Sequence, residues 1–592
     1  MALQDTGRER QARFLRNGFL FLFFILILRF FQMQVLSGSV YKERSDQNSV
    51  RQIPILASRG LILDRKGQVL VENRPSYSLF LVPFDFRKNR TDAVTISSLL
   101  GLSVEEMETR IEETGGGPFT PVRIIRDMDF ETLSKVEENR FDLPGVFYQV
   151  ELVRTYPSGI RATHVLGYPG EISGSELESL KDRGFSRGDI VGKSGLEKRY
   201  DAALRGERGY KYVEVDVQGR EVGNFNGQRD ILPVPGKNLT TTLDAELQGQ
   251  VEMLMDTWRG AAIVMDPRNG EILAMVSTPD YNLEPFAKGL TQNTWEQLTN
   301  DPDKPLLNRA IQAQLPPGST YKLILTIAAL EENVITPEEE IYCGGHFWLG
   351  DRMFDCWQPG GHGNVDLLNA LKESCNVFFY NLGLKTGIDR WARYGRELGF
   401  GSATEIDLPD EKQGILPNRR YLDIKYSKQG WGKGMVVNLS VGQGDLLVTP
   451  IQMVRLASAI AMEGHVATLH VVRSVQEPLS GAWGENAVRH HSLEAISPKT
   501  YGVLKEGMHR VVNASGGTGR AAQVSQIAVC GKTGTAQNPQ GEPHSWFLGF
   551  APYKDPMVAL VVVVENGGSG GGLAASIAGH ILRWMFRQGV VS

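Results

Sequence analysis

Three short groups of polar residues in the second half of the chain carry side chains that could perform acyl transfer together. The first is Pro316-Pro317-Gly318-Ser319-Thr320-Tyr321-Lys322, where a Pro-Gly turn opens into the mainly apolar run Leu323-Ile324-Leu325-Thr326-Ile327-Ala328 and predicts a helix start. Helix positions i and i+3 share a face, so the Ser319 hydroxyl and the Lys322 amine can meet. A serine hydroxyl is a weak nucleophile, but a lysine left neutral by burial or by a second cation can take its proton. A helix start also places free backbone N–H groups and the positive dipole end beside a developing oxyanion. Ser39 and Lys42 share the spacing next to an apolar segment, so spacing alone decides nothing.

The second group is Ser374-Cys375-Asn376, inside the helical pattern around Asn369–Leu382. Its hydroxyl and carboxamide could relay a proton and hold a substrate amide; polar residues on a solvated helix face are the plainer explanation. The third is Gly531-Lys532-Thr533-Gly534-Thr535, which ends the apolar run Ile527-Ala528-Val529-Cys530. A strand with Lys532, Thr533 and Thr535 offers a cation and two hydroxyls to a carboxylate, and Gly534 lets another backbone come close. Gly-Lys-Thr also suggests a phosphate-binding loop, but that motif needs a glycine where Gln526 stands. In this order, at a helix start, in a helical segment and on a late strand, the three groups are far more specific together than apart.

The elements that must position them can be read around a boundary at Asp230–Asn238, which holds two prolines and a glycine. Beyond it, Asp244–Trp258 has a helical apolar rhythm, and Ala261–Met265 with Glu271–Val276 flank a turn. Strand candidates are Gln526–Thr535, Ser545–Ala551 and Met557–Glu565, and Ala574–Phe586 reads as an amphipathic helix. The expectation is an α+β architecture, of the kind often filed as α/β, with a five-stranded antiparallel sheet covered by helices. Upstream, Arg59–Leu70 predicts strand, tight turn and strand, and residues 94–140 a small α+β module. No internal repeat is visible.

At the N-terminus, Arg8, Arg10, Arg13 and Arg16 precede an apolar stretch that begins at Gly18 and, interrupted by Arg29, extends to Leu36. Its length suits a bilayer core of roughly 30 Å, and the arginines place the leader in the cytoplasm. Residues 1–17 are thus expected as a cytoplasmic tail, 18–36 as an uncleaved transmembrane anchor, 37–235 as an elongated pedestal and 236–592 as the catalytic domain. The location expected is the cytoplasmic (inner) membrane, crossed once, with the catalytic domain outside. With a net charge of -5 and 22% charged residues, the 592-residue chain gives no electrostatic reason to expect nucleic acid. Three of its four cysteines, Cys343, Cys356 and Cys375, cluster around His362, and three thiolates with one imidazole make a tetrahedral zinc set. The alternative is a Cys343–Cys356 disulfide, with Cys375 and Cys530 as small buried hydrophobes.

The three motifs resemble those of the penicillin-recognising serine transferases and hydrolases. The likeness covers nearly the whole chain. Arg59-Gly60 with Asp64-Arg65 and Gly67, Tyr156-Pro157 with Ala162 and His164, and Gly192 to Tyr200 resemble the pedestal of class B penicillin-binding proteins. Leu307-Asn308-Arg309-Ala310, Gly442-Gln443-Gly444 and Thr449-Pro450-Ile451-Gln452 resemble their transpeptidase domain, with the elongation-type subgroup nearest. The resemblance implies that Ser319 is acylated by D-Ala-D-Ala stem peptides of peptidoglycan, with Lys322 as base. It implies an oxyanion held by the N–H groups of Ser319 and Thr535, Ser374 as proton shuttle and Asn376 on the peptide. Lys532, Thr533 and Thr535 would bind the terminal carboxylate, with Gly534 between them. An amine of a neighbouring stem would complete the cross-link during cell elongation, and β-lactams would acylate the same serine. The chemistry needs no cofactor, zinc being structural. A SEDS-family glycosyltransferase is the implied membrane partner. Rival readings are a DD-carboxypeptidase and a mainly non-catalytic activator of that glycosyltransferase.

Overall fold

A leader apolar on every face needs an apolar surround, which a protein core or a lipid bilayer can supply. In a computed structural model, which describes residues 5–36, 50–88, 90–114, 117–143, 145–215, 221–224, 230–539 and 541–590, that leader is α1, Asp5–Phe31, continued by a π-helical turn, Gln32–Leu36. The most apolar 18-residue window of the span Gln11–Leu36 has a mean hydropathy of 2.2, and the rest of the protein covers none of that window. A helix of this length and composition can cross a membrane. Ser39 and Lys42 lie outside the described residues.

The pedestal half is built on β1 (Ile62–Leu63), β2 (Val69–Leu81), β3 (Val122–Met128) and β4 (Val146–Thr155). The turn between β1 and β2 forms because the Asp64 carboxylate accepts from the backbone N–H groups of Lys66 and Gln68, both at 2.8 Å, while Gly67 adopts φ +87°. Long β2 pairs antiparallel with β1, β3 and β4. After residues 230–238 comes β5 (Asn238–Thr241), which runs parallel to β1. On its other side β5 pairs antiparallel with β8 (Val472–Gln476), which carries β9 (Trp483–Glu485). One sheet therefore holds strands from both halves of the chain.

Close backbone packing and buried charge tighten this junction. A side chain at Gly60 would meet the Lys237 carbonyl oxygen at 1.8 Å. Nearby, the fully buried Glu197 carboxylate accepts from Arg59 at 2.6 Å and from Arg154 at 2.7 Å. Burial by itself would raise the Glu197 carboxyl, but the two guanidiniums outweigh it and hold the group below its ordinary value.

The C-terminal half begins with α2 (Ala245–Met255), capped by Asp244, whose carboxylate accepts from the Leu247 N–H. Next come β6 (Gly260–Met265) and β7 (Ile272–Thr278), and later β10 (Cys530–Ala536), β11 (His544–Ala551) and β12 (Val558–Val564). They form a five-stranded sheet in the order β7-β6-β12-β11-β10, antiparallel throughout. Central β12, Val-Ala-Leu-Val-Val-Val-Val, is buried at every position because both faces are covered. Leu560, Val562 and Val564 pack in the layer formed with α2 and with α8 (Leu573–Gln588), while Val561 and Val563 face the layer of α3 (Lys322–Glu331) and α6 (Pro450–Ala461).

Two expectations shift. The strand predicted from Gln526 starts only at Cys530, because Gln526 takes φ +71° in a tight turn that pairs Val524 with Ile527. The helical pattern around Asn369–Leu382 is two helices, α4 (Leu367–Lys372) and α5 (Asn376–Thr386), because Ser374 adopts a left-handed φ of +56°.

Removing one partner of a buried ion cluster leaves uncompensated charge. Glu197→Ala is expected to destabilise the pedestal by about 3–5 kcal/mol. A thermal midpoint equal to that of the unaltered protein would contradict this reading of the junction.

Candidate active site

Ser319 lies in a 3-10 turn, Gly318–Tyr321, that runs directly into α3 at Lys322. The turn is tighter than the α-helix start predicted from sequence, and backbone approach explains why. The Gly318 N–H donates to the Gly442 carbonyl at 3.0 Å, and Gly318 takes φ +56°. A side chain there would meet the Thr535 carbonyl at 2.6 Å, and one at Gly534 would lie 2.7 Å from the Pro317 carbonyl. Strand β10 thus runs hard against the Ser319 turn, at a separation that only glycine permits on each side. Trp546 on β11 steadies the same turn, its indole N–H donating to the Pro316 carbonyl at 3.1 Å.

The break between α4 and α5 brings the second motif to the first. Lys322 Nζ, wholly buried, donates to the Ser374 carbonyl and to Asn376 Oδ1, both at 2.8 Å, and lies 3.3 Å from Ser374 Oγ. From β10, the equally buried Lys532 Nζ reaches the same hydroxyl at 3.0 Å and the Thr533 carbonyl at 3.0 Å. Among the described residues, neither amine has a carboxylate partner. Burial, partly offset by the nearby Cys375 and Cys356 thiols, pushes the Lys322 amine down to about 8. Lys532 is pushed well below its ordinary range, by burial first and by the Lys322 charge second.

Three acceptors surround Lys322 Nζ, so its hydrogen bonds by themselves suit either charge state. A neutral amine has two hydrogens, and two acceptors, the Ser374 carbonyl and Asn376 Oδ1, sit at short range from Lys322. Its lone pair is then left for a hydroxyl. The Ser319 hydroxyl, half-buried, has no hydrogen-bond partner among the described residues. The structure therefore gathers Lys322, Ser374, Asn376, Lys532 and Thr533 by hydrogen bonds, with one hydroxyl between two depressed amines, and sets Gly534 and Thr535 against the turn that carries Ser319. Such a set can perform acyl transfer through a serine ester.

Comparison with known proteins agrees in both halves of the chain. The family described as penicillin binding protein transpeptidase domain matches residues 260–583, and the penicillin-binding protein dimerisation domain matches residues 54–241. Peptidoglycan D,D-transpeptidase MrdA of Haemophilus influenzae is 30% identical over 96% of this chain and 90% of its own length. The chain belongs to the penicillin-binding protein 2 family. It is a serine-type peptidoglycan D,D-transpeptidase, a penicillin-binding enzyme with an α+β transpeptidase fold. The Helicobacter pylori penicillin-binding protein 2 in its complex with MreC superposes with a TM-score of 0.80, at 30% identity over 92% of this chain and all of that one. A chain of a peptidoglycan synthase complex that coordinates polymerization and crosslinking gives 0.67, at 29% identity over 97% of both.

Within this penicillin-binding protein 2 fold, Cys343, Cys356, His362 and Cys375 converge so that their ligand atoms all lie within 4.8 Å of one another. All four cysteines of the chain are buried free thiols. His362 Nδ1 stands 3.5 Å from Cys343 Sγ and 3.6 Å from Cys356 Sγ. The edge between sulfur and nitrogen ligands of a tetrahedral zinc ion is about 3.5 Å, so the donor set fits one. The loop carrying it is laced to the catalytic turn. Trp357 donates through Nε1 to the Glu373 carbonyl at 2.9 Å, and the Tyr380 hydroxyl to the Asp355 carbonyl at 3.1 Å. Trp357 and Trp546 carry no local signature in the sequence, and their place beside the motifs follows from tertiary packing.

Gly534→Ala places a methyl group against backbone that cannot yield, so the Ser319 turn and β10 must move apart. Acylation by a fluorescent penicillin is expected to fall about a hundredfold, with the fold retained. Labelling at the unaltered rate would show that this close approach does not set the site.

Proposed function

We propose that Ser319 Oγ attacks the carbonyl carbon of the penultimate D-alanine of a stem peptide while Lys322 takes its proton. The observation that carries this reading is the convergence of two buried amines on Ser374 Oγ, at 3.3 and 3.0 Å, with no carboxylate among the described residues to hold them charged. An amine depressed to about 8 is neutral in an appreciable fraction near neutral pH and can act as a base. The N–H groups of Ser319 and Thr535 hold the oxyanion, a role supported by the tight approach of β10 to the Ser319 turn. Ser374, within reach of both amines, passes a proton to the amine of the departing D-alanine. Lys532, Thr533 and Thr535 take the terminal carboxylate, and Asn376 the peptide. The amine of a neighbouring stem then attacks the acyl-enzyme ester, forms the cross-link and frees Ser319.

The division of the chain follows the same reading: a cytoplasmic tail (1–17), a membrane anchor (18–36), a pedestal (37–235) and the transpeptidase domain (236–592), the last two outside the cytoplasmic (inner) membrane. The uncovered apolar helix supports the anchor. A SEDS-family glycosyltransferase as partner is supported by the likeness to a chain of a peptidoglycan synthase complex. Cys343, Cys356, His362 and Cys375 hold a structural zinc ion. When bound, zinc cross-links the loop and the catalytic turn and supplies no step of the reaction. Cys375 separates Ser374 from Asn376, so the cluster fixes the turn that carries both.

Ser319→Ala is expected to abolish covalent labelling by a fluorescent penicillin, and persistent labelling would mean a different nucleophile. Lys322→Ala should leave a folded protein acylated at least about a hundredfold more slowly; labelling at the unaltered rate would remove Lys322 from the role of base. Elemental analysis of the purified protein should find one zinc per chain. An absence of zinc with Cys343 and Cys356 oxidised would overturn the metal assignment.

A further inference from the structure

We propose that Thr518, which joins the strand-edge hydroxyl of Thr533 to the end of α4, is a positioning residue for recognition of the substrate carboxylate. The inference rests on the reading of Thr533 as a carboxylate-binding residue. Thr518 lies in the turn Gly517-Thr518-Gly519 that follows α7 (Pro498–Asn513), 15 residues before Thr533 and 146 after Lys372. Its backbone N–H donates to the Lys372 carbonyl at 3.3 Å, two residues before Ser374. Its Oγ1 lies 3.4 Å from that carbonyl and 2.9 Å from Thr533 Oγ1. Gly571 covers the other side, where a side chain would meet the Thr518 carbonyl at 2.5 Å. One residue thus ties the carboxylate-binding edge to the turn that carries the proton shuttle.

Proton counting gives the tie a direction. A hydroxyl has one hydrogen and can accept through its lone pairs. If Thr518 donates to Lys372, the hydrogen of Thr533 must turn toward Thr518, and only lone pairs face an arriving carboxylate. If Thr518 donates to Thr533, the Thr533 hydrogen is free to point at the carboxylate. The second arrangement uses the shorter contact, and the Lys372 carbonyl keeps its bond from the Thr518 N–H. A negative charge at the site selects it, and each bond in the chain polarises the next. Thr533 is only 5% exposed, so water is a poor replacement for the missing donor.

The test compares acylation by benzylpenicillin with acylation by its methyl ester, which lacks the carboxylate, using intact-protein mass to read the acyl-enzyme. Both rates come from one preparation, so any unfolded fraction cancels from the acid-to-ester ratio. Thr518→Val is expected to lower that ratio about tenfold, while Thr518→Ser, which keeps the hydroxyl, should hold it within about twofold. Thr533→Val serves as the reference and should also lower it. An unchanged ratio in Thr518→Val beside a lowered one in Thr533→Val would overturn the role of Thr518 alone. Equal loss with both ligands in Thr518→Val would make Thr518 a merely structural support and overturn it too. An unchanged ratio in Thr533→Val would remove the carboxylate reading of Thr533 and this inference with it.

Discussion

A single hydroxyl held between two buried amines is the constraint on which the site depends. Lys322 and Lys532 come from a helix and a strand far apart in sequence, and both end on Ser374 Oγ. Two ammonium groups so placed, without a carboxylate among the described residues, repel each other and lose their hydration. The favourable response is proton loss, and the direction of both shifts expresses it. Folding thereby turns two ordinary lysines into amines of lowered basicity on either side of one serine hydroxyl.

Everything around that pair serves to hold three chain segments at fixed separation. The five-stranded sheet supplies β10, the packing of α3 supplies Lys322, and the break between α4 and α5 supplies Ser374 and Asn376. Gly318, Gly442 and Gly534 allow backbone contacts that any side chain would block. The shared sheet joins the pedestal to this domain, and the Arg59–Glu197–Arg154 cluster braces the pedestal side of that junction. That continuity suits an enzyme of the penicillin-binding protein 2 family, whose substrate is an extended polymer.

Much of this is legible in the residues themselves. Ser319 and Lys322 show their spacing because a helix start has a fixed period, and the apolar run ending at Lys532 and Thr533 marks a strand. The caps and turns at Asp244 and Asp64 follow from local side-chain chemistry in the same way. Other features hide for definite reasons. Ser374 adopts a left-handed conformation that serine rarely takes, so the pattern through Asn369–Leu382 reads as one helix where the structure has two. The start of β10 is displaced because Gln526 turns the chain with the same kind of φ. Strand β1 is legible beside its turn, but its pairing with β5 joins segments far apart in sequence, so the sheet shared between the halves cannot be anticipated from sequence. Trp546 and Thr518 act through contacts with distant segments and have no local signature.

The state of Lys322 is where the account is most exposed to experiment. Its amine is depressed by burial to about 8, and only the neutral form can take the Ser319 proton. The neutral fraction grows as pH rises, so the rate of acylation should climb through that value and level off above it. The direct measurement is the second-order rate of acylation by a β-lactam between pH 6 and 10, with folding monitored in parallel. A rising limb with its midpoint near 8 is expected. A rate that is flat across that range, or that rises only where an ordinary lysine would lose its proton, would contradict the account.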